Sequence, residues 1–119
     1  MADMQALADE WMKIYEMTDA EAIRAHAVKV WPVCDPDNLG EMTVDQLRAN
    51  FEAADEKYGA AEIAKLPEAE QAAAREKMKA ESDAENGLLL GNIKPNANGK
   101  VGAKELGDVY VWRILEKGL

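Results

Sequence analysis

The fold is decided by one short segment, Asp35-Pro36-Asp37-Asn38-Leu39-Gly40-Glu41-Met42-Thr43-Val44-Asp45-Gln46. If Asp35 is position one, carboxylates stand at positions one and three, a glycine at six, an apolar residue at eight and Gln46 at twelve. In a loop with this spacing, alternate residues turn oxygens inward and the glycine makes a sharp bend. The segment is therefore predicted to form a structured loop between two helices.

A second segment, Lys94–Glu105, repeats this spacing. Aligned on its glycine, it has Asn96 at position three, Asn98 at five, Gly99 at six, Val101 at eight and Glu105 at twelve. Apolar residues also recur at matching positions around both segments: Val30, Trp31 and Cys34 before the first, Leu89, Leu90 and Ile93 before the second, and Leu47, Phe51, Leu106 and Tyr110 after them. The chain therefore contains an internal repeat of a helix-loop-helix unit.

On these residues the chain resembles the EF-hand superfamily over about 19–58 and 82–118. The resemblance implies an all-α fold in which two helix-loop-helix units pair face to face. It also implies that Met42 and Val101, the apolar residues at loop position eight, meet in a short two-stranded antiparallel bridge.

The rest of the chain is predicted to be helical as well. Apolar residues at steps of three and four predict an N-terminal helix over 1–17, and alanine-rich, charged sequence predicts a solvated linker helix over 60–81. The length suits a single domain over 1–119. Three capping boxes predict helix starts, Thr18–Glu21, Thr43–Gln46 and Ser82–Glu85, and the helix that begins at the first of these is expected to stop near Pro32.

The resemblance also implies candidate calcium ligands in the first loop: Asp35, Asp37, the backbone carbonyl of Glu41, Thr43 and Gln46. This ligand set departs from the EF-hand pattern at two positions. Leu39 offers no side-chain oxygen, and Gln46 stands where the pattern has a bidentate carboxylate. The second loop begins with Lys94, an ammonium where a carboxylate belongs. Calcium binding is therefore predicted to be lost or weak, at or beyond about 10⁻³ M, and no other cofactor is expected.

Charge and composition exclude several functions. The chain carries a net charge of −9 with a pI near 4.6, so nucleic acid is not expected as a partner. No apolar run approaches the roughly 18 residues that a membrane span needs. One cysteine, Cys34, and an N-terminus without signal-peptide character predict an intracellular protein, soluble or assembled in a complex and cytoplasmic by default.

No enzyme is predicted, because the sequence has no nucleophile elbow, phosphate-binding glycine loop or zinc-protease motif. His26 has no partner at ligand spacing, and Cys34 occupies a position that the repeat assigns to the core. His26 is interpreted as a surface or core histidine, and Cys34 as a packed thiol.

The C-terminal helix carries more apolar surface than one core contact covers. The residues concerned are Leu106, Val109, Tyr110, Val111, Trp112, Ile114 and Leu115. Either the first helix covers the surplus or a protein partner does, through Val111, Trp112 and Leu115 or through an interhelical groove. The resulting hypothesis is a non-enzymatic, EF-hand-like interaction or structural subunit; the alternative is a calcium sensor or buffer.

Overall fold

The computed structural model describes residues 3–118, and these residues form an all-α fold. The α-helices are α1 (Met4–Met12), α2 (Ala20–Cys34), α3 (Val44–Ile63), α4 (Glu68–Asn92) and α5 (Ala103–Val111). A 3₁₀ turn, Lys13–Glu16, continues α1, and a π-helical turn, Trp112–Glu116, continues α5. The ends of the predicted domain, residues 1, 2 and 119, lie outside the described residues.

Side-chain oxygens start the first three helices. Asp3 accepts from the amides of Gln5 and Ala6 at the start of α1. Asp19 accepts from the Ala22 amide at 3.0 Å, so the predicted cap at Thr18 is wrong by one residue. A carboxylate is a strong acceptor at the positive end of a helix, which explains why the chain uses the aspartate.

The second helix runs past its only proline. Pro32 lies in the last turn of α2, which ends at Cys34, so the prediction of a stop near Pro32 is two residues short. Proline removes a donor to the carbonyl four residues earlier, that of Val28. Val28 is 60% exposed, so water can reach the face of the helix where that carbonyl lies.

The predicted linker helix over 60–81 is not a separate element. Helix α3 continues to Ile63 and α4 runs unbroken from Glu68 to Asn92, so the boundaries near residues 59 and 82 are wrong. Gly59 lies inside α3, where a Cβ would sit 2.5 Å from the sulfur of Met78 on α4. The glycine is therefore a close-packing position between two antiparallel helices.

Ser82 is the reason that the predicted third helix start is absent. Its hydroxyl donates to the carboxylate of Asp55 on α3 instead of capping a helix. Asn86 donates to the same oxygen at 2.8 Å. These bonds hold the middle of α4 against α3, and the turn over residues 64–67 joins the two helices into a hairpin.

The core is centred on the packing of α2 against α5. Gly107 on α5 allows close approach, because a Cβ there would lie 3.2 Å from the Cα of Arg24. Trp11 packs against Phe51 with ring centroids 5.6 Å apart. The fully buried large side chains are Ile14, Ile23, Val30, Cys34, Met42, Leu47, Phe51, Leu89, Val101, Leu106 and Tyr110.

The hairpin gives the molecule an elongated shape, with extents of 48 × 31 × 25 Å. Toward its tip, Ile63 is buried, whereas Leu66 is 39% exposed. Within residues 3–118, none of the helices combines the length and the apolar character needed to cross a bilayer.

The pair Tyr15 and Tyr110 makes stability sensitive to alkaline pH. Their rings meet edge to face at 5.5 Å. Burial raises the pKa of both hydroxyls, and the charge of Glu85 raises the pKa of Tyr15 further. Unfolded tyrosines ionise near about pH 10, so above that pH the unfolded state binds fewer protons than the native state. Stability should therefore be complete below about pH 10 and fall as the pH rises beyond it.

Absorbance at 295 nm during a pH titration tests this expectation. Of the three tyrosines, Tyr58 should ionise in the native protein, while Tyr15 and Tyr110 should ionise only as the chain unfolds. Tyr58→Phe should remove most of the native signal. A native protein in which all three ionise together would contradict the buried pair.

Candidate functional site

The two loops meet through their backbones. Met42 and Val101 form an antiparallel bridge, with N–H to O distances of 2.9 Å and 2.8 Å. Beside this bridge, the side-chain amide of Asn96 donates through Nδ2 to Glu41 Oε1 at 3.0 Å. A Cβ at Gly102 would lie only 3.1 Å from the Gly40 carbonyl oxygen. The loops are therefore in direct backbone and side-chain contact.

In the first loop, Asp35 is buried and takes three hydrogen bonds. Its Oδ1 accepts from the Leu39 amide at 2.8 Å. Its Oδ2 accepts from the Gly40 amide at 2.8 Å and from the indole of Trp31 at 3.0 Å. Gly40 has a φ of +82°, the left-handed conformation that turns its amide toward this carboxylate. The carboxylate thus organises the loop around itself.

Two of the other predicted calcium ligands are engaged within the protein, because Thr43 and Gln46 bond to each other's backbone amides at 3.1 Å and 2.9 Å. At Glu41 the predicted ligand is the backbone carbonyl, and it is the side chain that accepts from Asn96. Asp37 is exposed. Among residues 3–118 there is no group of three or more His, Cys, Asp or Glu side chains placed to hold a metal ion. Calcium binding at these five residues, weak or lost, stays a prediction.

The second loop uses an amide side chain in the same way. Asn96 Oδ1 accepts from the amides of Asn98 at 2.9 Å and Lys100 at 3.2 Å. Gly99, with a φ of +71°, makes the turn. Glu105 accepts from the Gly102 amide at 2.9 Å and so begins α5. Local hydrogen bonds therefore shape both loops.

Asn50 is a loop-positioning residue that sequence reasoning missed. Its amide donates to the Cys34 carbonyl at 2.9 Å, which satisfies the end of α2, and it also contacts the sulfur of Met42 at 3.4 Å. One side chain on α3 thus joins the helix that enters the loop to the residue that forms the bridge. The sequence offered one indication of this role: an asparagine inside a helix is unfavourable unless its side chain has a partner. In the structure Asn50 is half-buried.

His26 and Cys34 are both buried: of the surface and core positions left open for His26 the structure has the core one, and Cys34 is packed as predicted. His26 is buried, and its Nε2 lies 2.7 Å from the Glu10 carbonyl oxygen, which joins α2 to α1. Cys34 is fully buried, and desolvation raises the pKa of its thiol, with the charges of Asp55 and Asp35 acting in the same direction. The thiolate is disfavoured, so Cys34 is suited to packing.

An open groove lies on each side of the α3–α4 hairpin. The first, called here the acidic groove, has a volume of about 760 Å³ and carries the carboxylates of Asp9, Asp55, Glu62, Glu81 and Glu85. The second, the mixed-charge groove, has a volume of about 720 Å³ and carries Arg48, Glu52, Glu56, Arg75, Lys79 and Asp83. Asp55, Gly59, Met78, Ser82 and Asn86 contribute to both, so these residues form the wall between them.

The acidic groove combines negative charge with apolar surface. Its only basic lining residue within the described chain is Arg113, and that side chain is paired with Glu85 at 2.8 Å. Met12, which is 63% exposed, lines it together with Tyr58 and Met78. Glu62 and Glu81 pair with Lys65 and Lys77, which do not line the groove. The lining therefore places more carboxylates than basic groups beside accessible apolar side chains.

The pair Glu85–Arg113 fixes one end of this groove. The guanidinium donates to both carboxylate oxygens and, at 2.6 Å, to the Gly118 carbonyl. The Tyr15 hydroxyl donates to the same carboxylate at 3.2 Å. Glu85 raises the pKa of Arg113 by accepting these bonds. Helix α4 is thus joined to the end of α1 and to the C-terminal turn.

The C-terminal residues predicted to contact a partner differ in their exposure. Val111 is only 8% exposed, so the prediction that it contacts a partner is wrong: it packs in the core. Trp112 is half-buried, with the Lys117 ammonium 6.0 Å from its ring, and Leu115 is 41% exposed. Tyr15 from the first helical segment covers part of this surface through its contact with Tyr110.

Comparison with known proteins found no match for the chain among family models, curated proteins or solved structures.

The cap between Thr43 and Gln46 can be tested by substitution. Thr43→Ala removes the oxygen that accepts from the Gln46 amide and should lower the free energy of unfolding by about 1 kcal/mol. Thr43→Ser keeps a hydroxyl and should retain most of the stability. Urea denaturation followed by circular dichroism measures both, and equal stability of wild type and Thr43→Ala would rule out the cap.

Proposed function

We propose that this chain is a non-enzymatic interaction subunit in which an EF-hand-like pair of helix-loop-helix units holds a docking groove. The acidic groove supports this proposal most directly. It is open, it lies between helices, and it combines the apolar side chains of Met12, Tyr58 and Met78 with carboxylates that outnumber the single basic residue of its lining. Grooves between helices commonly accept an amphipathic helix of a partner protein.

The charge of the groove specifies the occupant. It has five carboxylates and one guanidinium, and the guanidinium is already paired with Glu85. The occupant is therefore a helix with lysine or arginine along one edge and apolar residues on its face. The acidic net charge of the chain favours the same partner by long-range attraction.

The mixed-charge groove provides a contrast on the same hairpin. Arg48, Arg75 and Lys79 lie among its acidic residues, and Lys79 is within 3.6 Å of Asp83. A cationic helix placed there would meet like charges as well as opposite ones. The two grooves have similar volumes, so charge is the property that separates them.

Calcium sensing is the alternative function that the loop spacing predicts. The internal hydrogen bonds of Asp35, Thr43 and Gln46 favour the interaction subunit, because these side-chain oxygens already have donors within the chain. We propose with it that the protein is intracellular and is assembled there in a complex with this partner.

Charge reversal in the groove tests the proposal. The probe is a fluorescein-labelled amphipathic peptide of leucine and lysine, with a leucine and glutamate peptide as the negative probe. Glu62→Lys with Glu81→Lys should weaken binding of the lysine peptide by about tenfold, since losing two exposed attractions and gaining repulsion amounts to about 1.4 kcal/mol. Fluorescence anisotropy measures the affinity.

The matched control is Glu52→Lys with Glu56→Lys, which changes the net charge equally but lies in the mixed-charge groove. All four positions are exposed, so folding should be preserved. Equal weakening by both pairs would indicate non-specific attraction and contradict the proposal. If the wild-type protein bound the glutamate peptide more tightly than the lysine peptide, the occupant would be an acidic helix. If the wild-type protein formed dimers and Glu62→Lys with Glu81→Lys abolished them, the occupant would be a second copy of this chain.

A further inference from the structure

The first loop contains a buried carboxylate, that of Asp35, whose hydrogen-bond donors all come from the same chain. Asp35 is 4% exposed, and donors reach it from two directions. The amides of Leu39 and Gly40 approach from the loop, and the indole of Trp31 approaches from the core side. A buried carboxylate is costly unless hydrogen bonds of this kind satisfy it.

We infer that the Trp31 indole and the two loop amides close this loop around Asp35 in place of a cation. The paired loops therefore assemble without calcium. This inference goes beyond the proposed function and is independent of any partner. It concerns only what holds the loop in its shape.

The position of Trp31 makes the contact possible. Asp35 directly follows the last residue of α2, and its amide still donates to the Trp31 carbonyl at 3.0 Å, so the two residues lie one turn apart and their side chains can meet. Trp31 is itself only 9% exposed, and packing restricts where its N–H can point. The bond is therefore a fixed connection between the core and the loop.

A calcium ion would have to compete with these bonds. Calcium in such loops takes six to eight oxygens at roughly 2.3–2.6 Å. Asp35 has three donors within 3.0 Å, and Thr43 and Gln46 each accept one hydrogen bond from the chain through their side chains. Binding would exchange existing contacts for new ones without the bidentate carboxylate that normally closes the site.

Two tryptophan substitutions test the role of the indole N–H. Trp31→Phe keeps an aromatic ring but removes the donor to Asp35. Trp11→Phe is the matched control, because Trp11 is 7% exposed and its buried N–H has no partner within residues 3–118. The melting temperature should fall by about 5 °C more for Trp31→Phe than for Trp11→Phe. The amide protons of Leu39 and Gly40 should also exchange faster only in Trp31→Phe.

The wild-type protein provides a test that needs no variant. Its melting temperature and the NMR signals of the Leu39 and Gly40 amides should be the same in chelator and in millimolar calcium chloride at equal ionic strength. A calcium-dependent rise in melting temperature, or saturable shifts of these two amides, would overturn the inference. Equal effects of the two tryptophan substitutions would overturn it as well.

Discussion

The two backbone hydrogen bonds between Met42 and Val101 are the contact on which the rest of the structure depends. They join loops that lie far apart in the chain, and both residues are fully buried. Once the loops are joined, the helices before and after each loop converge on one core. Apolar residues are required at both positions, because their side chains enter that core while their backbones satisfy each other.

Hydrogen bonds within the chain give the loops their shape. Asp35 collects donors in the first loop and Asn96 does so in the second, while Gly40 and Gly99 supply the positive φ of the turns. In both loops, side-chain acceptors of the chain itself bind the backbone amides of the turn.

The hairpin of α3 and α4 gives the molecule its two grooves. Asp55, Ser82 and Asn86 join the two helices where they leave the core, and Gly59 admits Met78 between them. The helices therefore remain together beyond the core and create a groove on each side. Acidic side chains line both grooves, but Arg48, Arg75 and Lys79 lie in one of them only, so the two grooves differ in charge although they share a wall.

The sequence by itself determined the features that depend on neighbouring residues. The glycine turns, the Thr43–Gln46 cap and the burial of Leu47, Phe51, Leu106 and Tyr110 follow from local backbone conformation and helical periodicity. Tertiary structure alone decided the single helix through Ser82, the burial of Val111 and the charge of the acidic groove. Ser82 meets Asp55 across 27 residues of chain, and Glu85 meets Arg113 across 28. Such contacts depend on where helices are placed in space, and local sequence patterns carry no record of that placement.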